Sequence, residues 1–223
     1  MTKSTMTRYY AKRAAEYERI YLKPERQTDI KTLQSKIAEA STGLTLLEIA
    51  CGTGYWTQFA CRTARSILAT DFNEEVLSVA REKEYGDCPV TFLKSDAYVL
   101  DEANGFFSGA FFGFWWSHVP KSDIGPFLHT LHSKLCGGAR IIVFDNLYVE
   151  GSSTPISRTD AEGNTYQVRI LSDGSTHEVL KNFPPQHEVV ERIAPFSERW
   201  KFTELDYFWF AEYTLKEDTD KNP

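Results

Sequence analysis

Leu46-Leu47-Glu48-Ile49-Ala50-Cys51-Gly52-Thr53-Gly54-Tyr55-Trp56-Thr57 is the stretch from which the fold can be read. Residues 44–50 form an apolar run of the kind that makes a strand buried on both faces. Two glycines then turn the chain. Trp56, Phe59 and Ala60 follow at i, i+3 and i+4, one apolar face of a helix. Strand, tight glycine turn and helix make the first unit of a doubly wound sheet. Glycine lets the backbone approach a ligand closely, and a helix N-terminus presents free N–H groups to an anion. The dinucleotide fingerprint wants a third glycine where Thr57 stands, and the phosphate loop wants a Gly-Lys-Ser/Thr that is missing here.

Outward from this unit, strands and helices alternate. Upstream, residues 9–21 are amphipathic and rich in tyrosine, with Tyr10, Ala14 and Tyr17 on one side. Their tyrosines suit either core packing or a lid, since each has an apolar face and one polar tip. Pro24 opens a second helix that runs to Ala40 on Ile30, Leu33 and Ile37.

Downstream, residues 66–71 form a short strand ending in Asp71. The gap from Gly52 is close to the roughly twenty residues over which a doubly wound unit delivers an acid to a ribose. Asp71 can equally cap the helix of residues 73–83, as can Asn73. Residues 90–94 are the third strand, leaving through Ser95-Asp96-Ala97. The aromatic run 106–116 suits a central strand. Its end, from Trp115 to His118, opens where ligands sit in open α/β sheets. One of Trp115 and Trp116 packs in the core, and the other faces the cleft. A helix over 124–135 leads to Gly137-Gly138, read as its cap and a chain reversal. A fifth strand, 139–145, ends in Asp145.

The regular alternation then stops. In residues 147–183, two strand-like runs flank an Asp-Gly turn and predict a β-hairpin. Pro184 and Pro185 open a last helix, and residues 199–205 and 207–215 make a final antiparallel pair.

With 223 residues, 42% of them hydrophobic, the chain can bury one sizeable core. We expect a single domain over 1–223, with residues 1–40 as a helical lid and 147–183 as an insertion over the cleft mouth. A net charge of −6 without a basic block argues against nucleic acid as a partner. Cys51, Cys61, Cys88 and Cys136 have spacings that fit neither a zinc site nor a disulfide scaffold, so no metal is expected and the thiols point to the cytoplasm. No apolar signal core or bilayer-length run occurs, which argues against a membrane partner. The polar tail 216–223 reads as disordered.

Glu48-x-x-Cys51-Gly52-x-Gly54 resembles motif I of the class I S-adenosylmethionine-dependent methyltransferases. Tyr10-x-x-Arg13-Ala14-x-x-Tyr17 is similar to a segment that precedes the core in many small-molecule members. Leu135-Cys136-Gly137-Gly138 resembles the family's Leu-x-Pro-Gly-Gly turn, with Cys136 in place of proline. The resemblance covers almost the whole chain. It implies an α/β, Rossmann-like, seven-stranded, mostly parallel sheet with helices on both faces, the last strand antiparallel and a small hairpin insertion after strand five.

It further implies methyl transfer from S-adenosyl-L-methionine, leaving S-adenosyl-L-homocysteine, to an O, N or C atom of a small molecule. Glu48, Ala50, Gly52 and Gly54 would form the donor loop, and Asp71, Phe72 and Asn73 would hold the ribose and adenine face. Asp96 and Ala97 would fix the adenine edge, and Tyr9, Tyr17 and Trp115 would line the methionyl region. His118 and Asp145 are the candidate catalytic bases. Trp116, Tyr148, Arg158, Tyr166 and Arg169 are the candidate acceptor contacts, with Lys181 a further polar group of the insertion. No Asn-Pro-Pro-Tyr segment of the DNA-amine enzymes is present. A monomer or homodimer is expected. Two other readings stay open: S-adenosylmethionine binding without methyl transfer, and an NAD-dependent oxidoreductase.

Overall fold

Strand formation follows the apolar runs. Thr45–Ile49 (β1) sends Leu46 to one face of a sheet and Leu47 and Ile49 to the other. Phe107–Gly113 (β4) does the same with Phe111 and Phe112, both fully buried. Each such side chain contributes about 1.5–3 kcal/mol by leaving water. In this computed structural model, residues 18, 20–171 and 173–217 are described. Most of the 9–21 helix, with Tyr9 and Tyr17, lies outside the described residues, as do residues 218–223 of the tail.

Ser66–Asp71 (β2), Val90–Lys94 (β3), Leu135–Asn146 (β5), Ser197–Glu204 (β9) and Phe208–Leu215 (β10) complete a seven-stranded sheet of order β3-β2-β1-β4-β5-β10-β9. β1 to β5 pair in parallel, and β10 runs antiparallel to both β5 and β9. Gln27–Ala40 (α1), Thr57–Ala60 (α2) and Glu74–Arg81 (α3) cover one face through Ile30, Leu33, Ile37, Ala60 and Leu77. Ile124–Ser133 (α4) and Gln186–Ile193 (α5) cover the other through Phe127, Leu128, Val189 and Ile193. The order reverses between β1 and β4, the switch point where such sheets open a crevice.

One expectation is corrected and another is extended. Helix α4 stops at Ser133, and β5 starts at Leu135, paired with Phe107, so Gly137 and Gly138 lie inside an irregular strand start and do not cap the helix. The predicted hairpin forms as Thr165–Ile170 (β7) and Thr176–Leu180 (β8), and a strand not foreseen from sequence, Ile156–Thr159 (β6), extends it to a three-stranded sheet of order β6-β7-β8. All four β6 residues are exposed, so the strand carries no apolar alternation by which sequence could reveal it.

Candidate active site

The loop after β1 is built from left-handed backbone. Ala50, Gly52 and Gly54 have φ of 53°, 56° and 73°. At Ala50 this is a strained conformation of the kind that clusters at ligand sites. Asp71 bridges the carboxyl end of β2 onto the loop: Gly52 N–H donates to Oδ2 at 2.9 Å and Asn73 N–H to Oδ1 at 2.8 Å. Burial raises the Asp71 pKa to about 6, with the N–H groups of Asn73, Gly52 and Phe72 pulling against it. Glu48 is buried below the loop and accepts a 2.7 Å hydrogen bond from the Thr57 hydroxyl. Upstream, Thr53 donates to Glu18 at 2.7 Å, and Trp56 Nε1 donates to the Tyr21 hydroxyl at 3.0 Å, tying the segment before α1 to the loop.

Burial pushes the Glu48 pKa up to about 8, Asp71 adds to this, and the Thr57 bond opposes it. A raised carboxyl pKa favours the proton in the folded state. Folding therefore costs nothing extra below the ordinary value of 4.5 and progressively more as pH rises toward 8. Glu48→Gln keeps an oxygen for Thr57 and removes this titration. It is expected to flatten the decline in stability between pH 4.5 and 8, measured by urea midpoints across that range. Parallel wild-type and variant curves would refute the assignment.

Three further features fit a ligand with a ring system. Phe72, beside Asp71, is 48% exposed despite its size. Asn73 Oδ1 and Trp115 Nε1 are buried without a hydrogen-bond partner. Asp96 Oδ1 accepts Tyr98 N–H at 2.9 Å in the turn after β3, where Leu100 is left-handed and Ala97 is buried.

A cavity of about 130 Å³ opens at the ends of β4 and β5. Phe114, His118 and Asn146 line it from the ends of β4 and β5, Lys23 and Arg26 come from before α1, and Gln167, Arg169, Val179 and Lys181 come from the insertion. Of the candidate acceptor contacts, Arg169 lines it, as does Lys181, while Trp116, Tyr148, Arg158 and Tyr166 do not. Trp116 is corrected to a core residue: it stacks on Phe112 and meets Trp209 edge-on. Arg158 is drawn away by Glu178, at 2.7 Å, and covers the Tyr166 ring. Tyr166 is buried, with its hydroxyl on Asp160 at 2.9 Å. Tyr148 packs against Phe183, a wall residue, without lining the cavity itself.

Neither candidate base suits that role. Asp145 is fully buried and accepts from Ser117 N–H and Oγ, Asn146 N–H and Nδ2, and Lys181 Nζ. Burial alone would raise its pKa, but the Lys181 charge and these bonds hold it below the usual carboxylate range. It is an anchor with its lone pairs engaged. His118 donates from Nδ1 to the Leu180 carbonyl at 2.7 Å. Burial, then the Lys181 charge, push its pKa down to about 3, so it is a neutral wall group and a weak base. Sequence reading missed Lys23 and Arg26. Arg26 reaches Ser152 at 2.9 Å and Asn146 at 3.3 Å across more than a hundred residues, with no local motif to mark it.

Residues 46–138 match the family model of the methyltransferase domain. A demethylmenaquinone methyltransferase of Lactococcus lactis subsp. lactis (strain IL1403) is 28% identical over 109 residues, which is 47% of this chain and 42% of that enzyme. The chain thus matches less than half the length of this curated relative. The DhpI structure in complex with SAH superposes with a TM-score of 0.75 at 24% identity, over 96% of both chains. The magnesium protoporphyrin IX methyltransferase of Synechocystis PCC 6803 with bound SAM gives 0.64 at 17% identity, over 96% of this chain and 97% of that one. Sheet order and the family model over residues 46–138 make the chain similar to the class I S-adenosylmethionine-dependent methyltransferases.

Proposed function

We propose that the protein transfers a methyl group from S-adenosyl-L-methionine to a small-molecule acceptor held in the cavity at the ends of β4 and β5. The observation that carries this reading is the left-handed Ala50-Gly52-Gly54 loop, braced by Asp71 at the switch point, on the same carboxyl edge of the sheet as a walled cavity at the ends of β4 and β5. When bound, the donor supplies an electrophilic methyl on a sulfonium. The chain's own work is to position groups and exclude water. Gly52 and Gly54 leave room for the donor's methionyl part, Asp71 offers its remaining lone pairs to the ribose, and Phe72 offers a face to adenine. Asn73 Oδ1 and Trp115 Nε1, unpartnered and buried, are ready to bond the donor. Asp96 and Ala97 bound the adenine edge. The segment before α1 and the insertion at 147–183 form the acceptor side of a single domain.

Among the described residues no helix is long and apolar enough to cross a membrane. The four free thiols support a cytoplasmic place for the protein.

Asp71→Ala tests the donor site. Hydrogen bonds to a charged group contribute about 1.5–3 kcal/mol, so S-adenosylmethionine and S-adenosylhomocysteine should each weaken by roughly 10- to 150-fold in calorimetry. Both share the ribose, so a loss confined to one of them would remove Asp71 from the ribose. A melting temperature raised by NADH and not by S-adenosylhomocysteine would favour the oxidoreductase reading instead.

A further inference from the structure

We infer that the acceptor is a small organic acid whose oxyanion head is bound by Lys23, Arg26, Arg169 and Lys181. The inference rests on the reading of this cavity as the acceptor site.

Four cationic side chains from three separate stretches of chain converge on one small cavity. Burial lowers the pKa of Lys23, Arg26 and Lys181, and the charge of Arg169 lowers all three further, so the four share one electrostatic field. Among the carboxylates of the described residues that act on them, Glu25 lies 3.9 Å from Lys23 and is exposed, Asp29 faces Arg26 from α1, and Asp145 lies 3.1 Å from Lys181. Arg26 makes its hydrogen bonds to the neutral oxygens of Ser152 and Asn146, at 2.9–3.3 Å, while its guanidinium rests over the Tyr207 and Phe208 rings. It is thus fixed in place by neutral partners, with Glu25 and Asp29 offsetting only part of its charge from nearby. Like charges gathered in a partly dry space repel, and a bound anion relieves that repulsion. A neutral acceptor would leave it standing.

Size and wall chemistry narrow the class. A volume of about 130 Å³ matches the liquid share of about four waters, room for a head group and a short carbon chain. Phe114, Val179 and Phe183 supply an apolar side for that chain. An oxyanion suits guanidinium forks, which bond two oxygens at once. Carboxylates and phosphonates share this chemistry. Neither His118 nor Asp145 has to remove a proton to bind such a group.

The test is calorimetry on the full chain at low salt, with and without S-adenosylhomocysteine. The probes are glycolate, methylphosphonate and the uncharged ethylene glycol. Arg26→Gln and Arg169→Gln are compared with wild type, and melting curves exclude unfolded variants; Arg169→Gln, on a half-exposed strand residue, serves if Arg26→Gln fails to fold. We expect at least one anion to bind, ethylene glycol not to bind, and each variant to weaken the anion by about tenfold or more with S-adenosylhomocysteine affinity kept within about twofold. The stronger of the two anions identifies the head group. S-adenosylhomocysteine binding with no anion bound, or anion affinity unchanged in both variants, overturns the inference. Arginine-dependent anion binding without S-adenosylhomocysteine binding keeps the anion site and sinks the donor reading.

Discussion

Gly52→Val is expected to weaken both S-adenosylmethionine and S-adenosylhomocysteine by more than about a hundredfold, while the protein still folds with a melting temperature lowered by about 3–12 °C. Gly52 sits at φ 56°, where an L-residue costs about 1–2 kcal/mol and a β-branched one more. Escaping that strain rotates the Gly52 N–H away from Asp71, a bond to a charged group worth about 1.5–3 kcal/mol. Together these amount to roughly 3–5 kcal/mol, and each 1.4 kcal/mol is tenfold in affinity. The loss falls on binding because the loop relaxes without opening either core cluster. Gly54 is a poorer probe: a Cβ there would run into the Tyr85 hydroxyl and press on Ala80, mixing packing damage with the binding effect. Calorimetry beside a melting curve checks the prediction, and wild-type affinity would remove the loop from the donor site.

Lys181→Met should lower stability by about 3–5 kcal/mol, because removing one partner leaves the other charge buried and unpaired. Asp145 has no exposed surface, and among the described residues Lys181 is its only cationic hydrogen-bond donor. For a chain of this length the loss is roughly 6–20 °C in Tm. The sign with pH follows. In the wild type, Asp145 has a lowered folded pKa, so its contribution is complete above the unfolded value of 3.8 and fades as pH falls through the folded one. Without Lys181, burial dominates and the carboxyl prefers its proton. The gap between variant and wild type should therefore be widest near neutrality and narrow toward pH 4. Asp145→Asn added to Lys181→Met should recover part of the loss. A gap constant with pH, or a double variant less stable than the single one, would contradict the pairing.

The parallel half of the sheet was legible because its strands are continuous apolar runs punctuated by glycine and acid, as in Leu46 to Gly54. The side toward the acceptor was not. Phe114 is left-handed, φ 58°, immediately after β4. This resets the alternation of faces, so strand periodicity could not decide between Trp115 and Trp116. Asp145 and Lys181 are 36 residues apart, and no local pattern announces a buried pair. Each looked free for chemistry when read alone, the acid as a base and the lysine as an acceptor contact. Arg26 hid for the same reason, as one charge among several at a helix start. The cationic cavity is thus a product of topology, assembled from the segment before α1, the end of β5 and the insertion.

The central claim meets its most direct test in one measurement: transfer of isotope-labelled methyl from S-adenosylmethionine to a metabolite extract, fractionated by anion exchange. The account predicts S-adenosylhomocysteine formation that depends on the extract, with label in small products made from the anionic fraction, and neither when Gly52→Val replaces the wild type. Label arising only from neutral or macromolecular fractions, or no consumption of S-adenosylmethionine above a protein-free control, would contradict it.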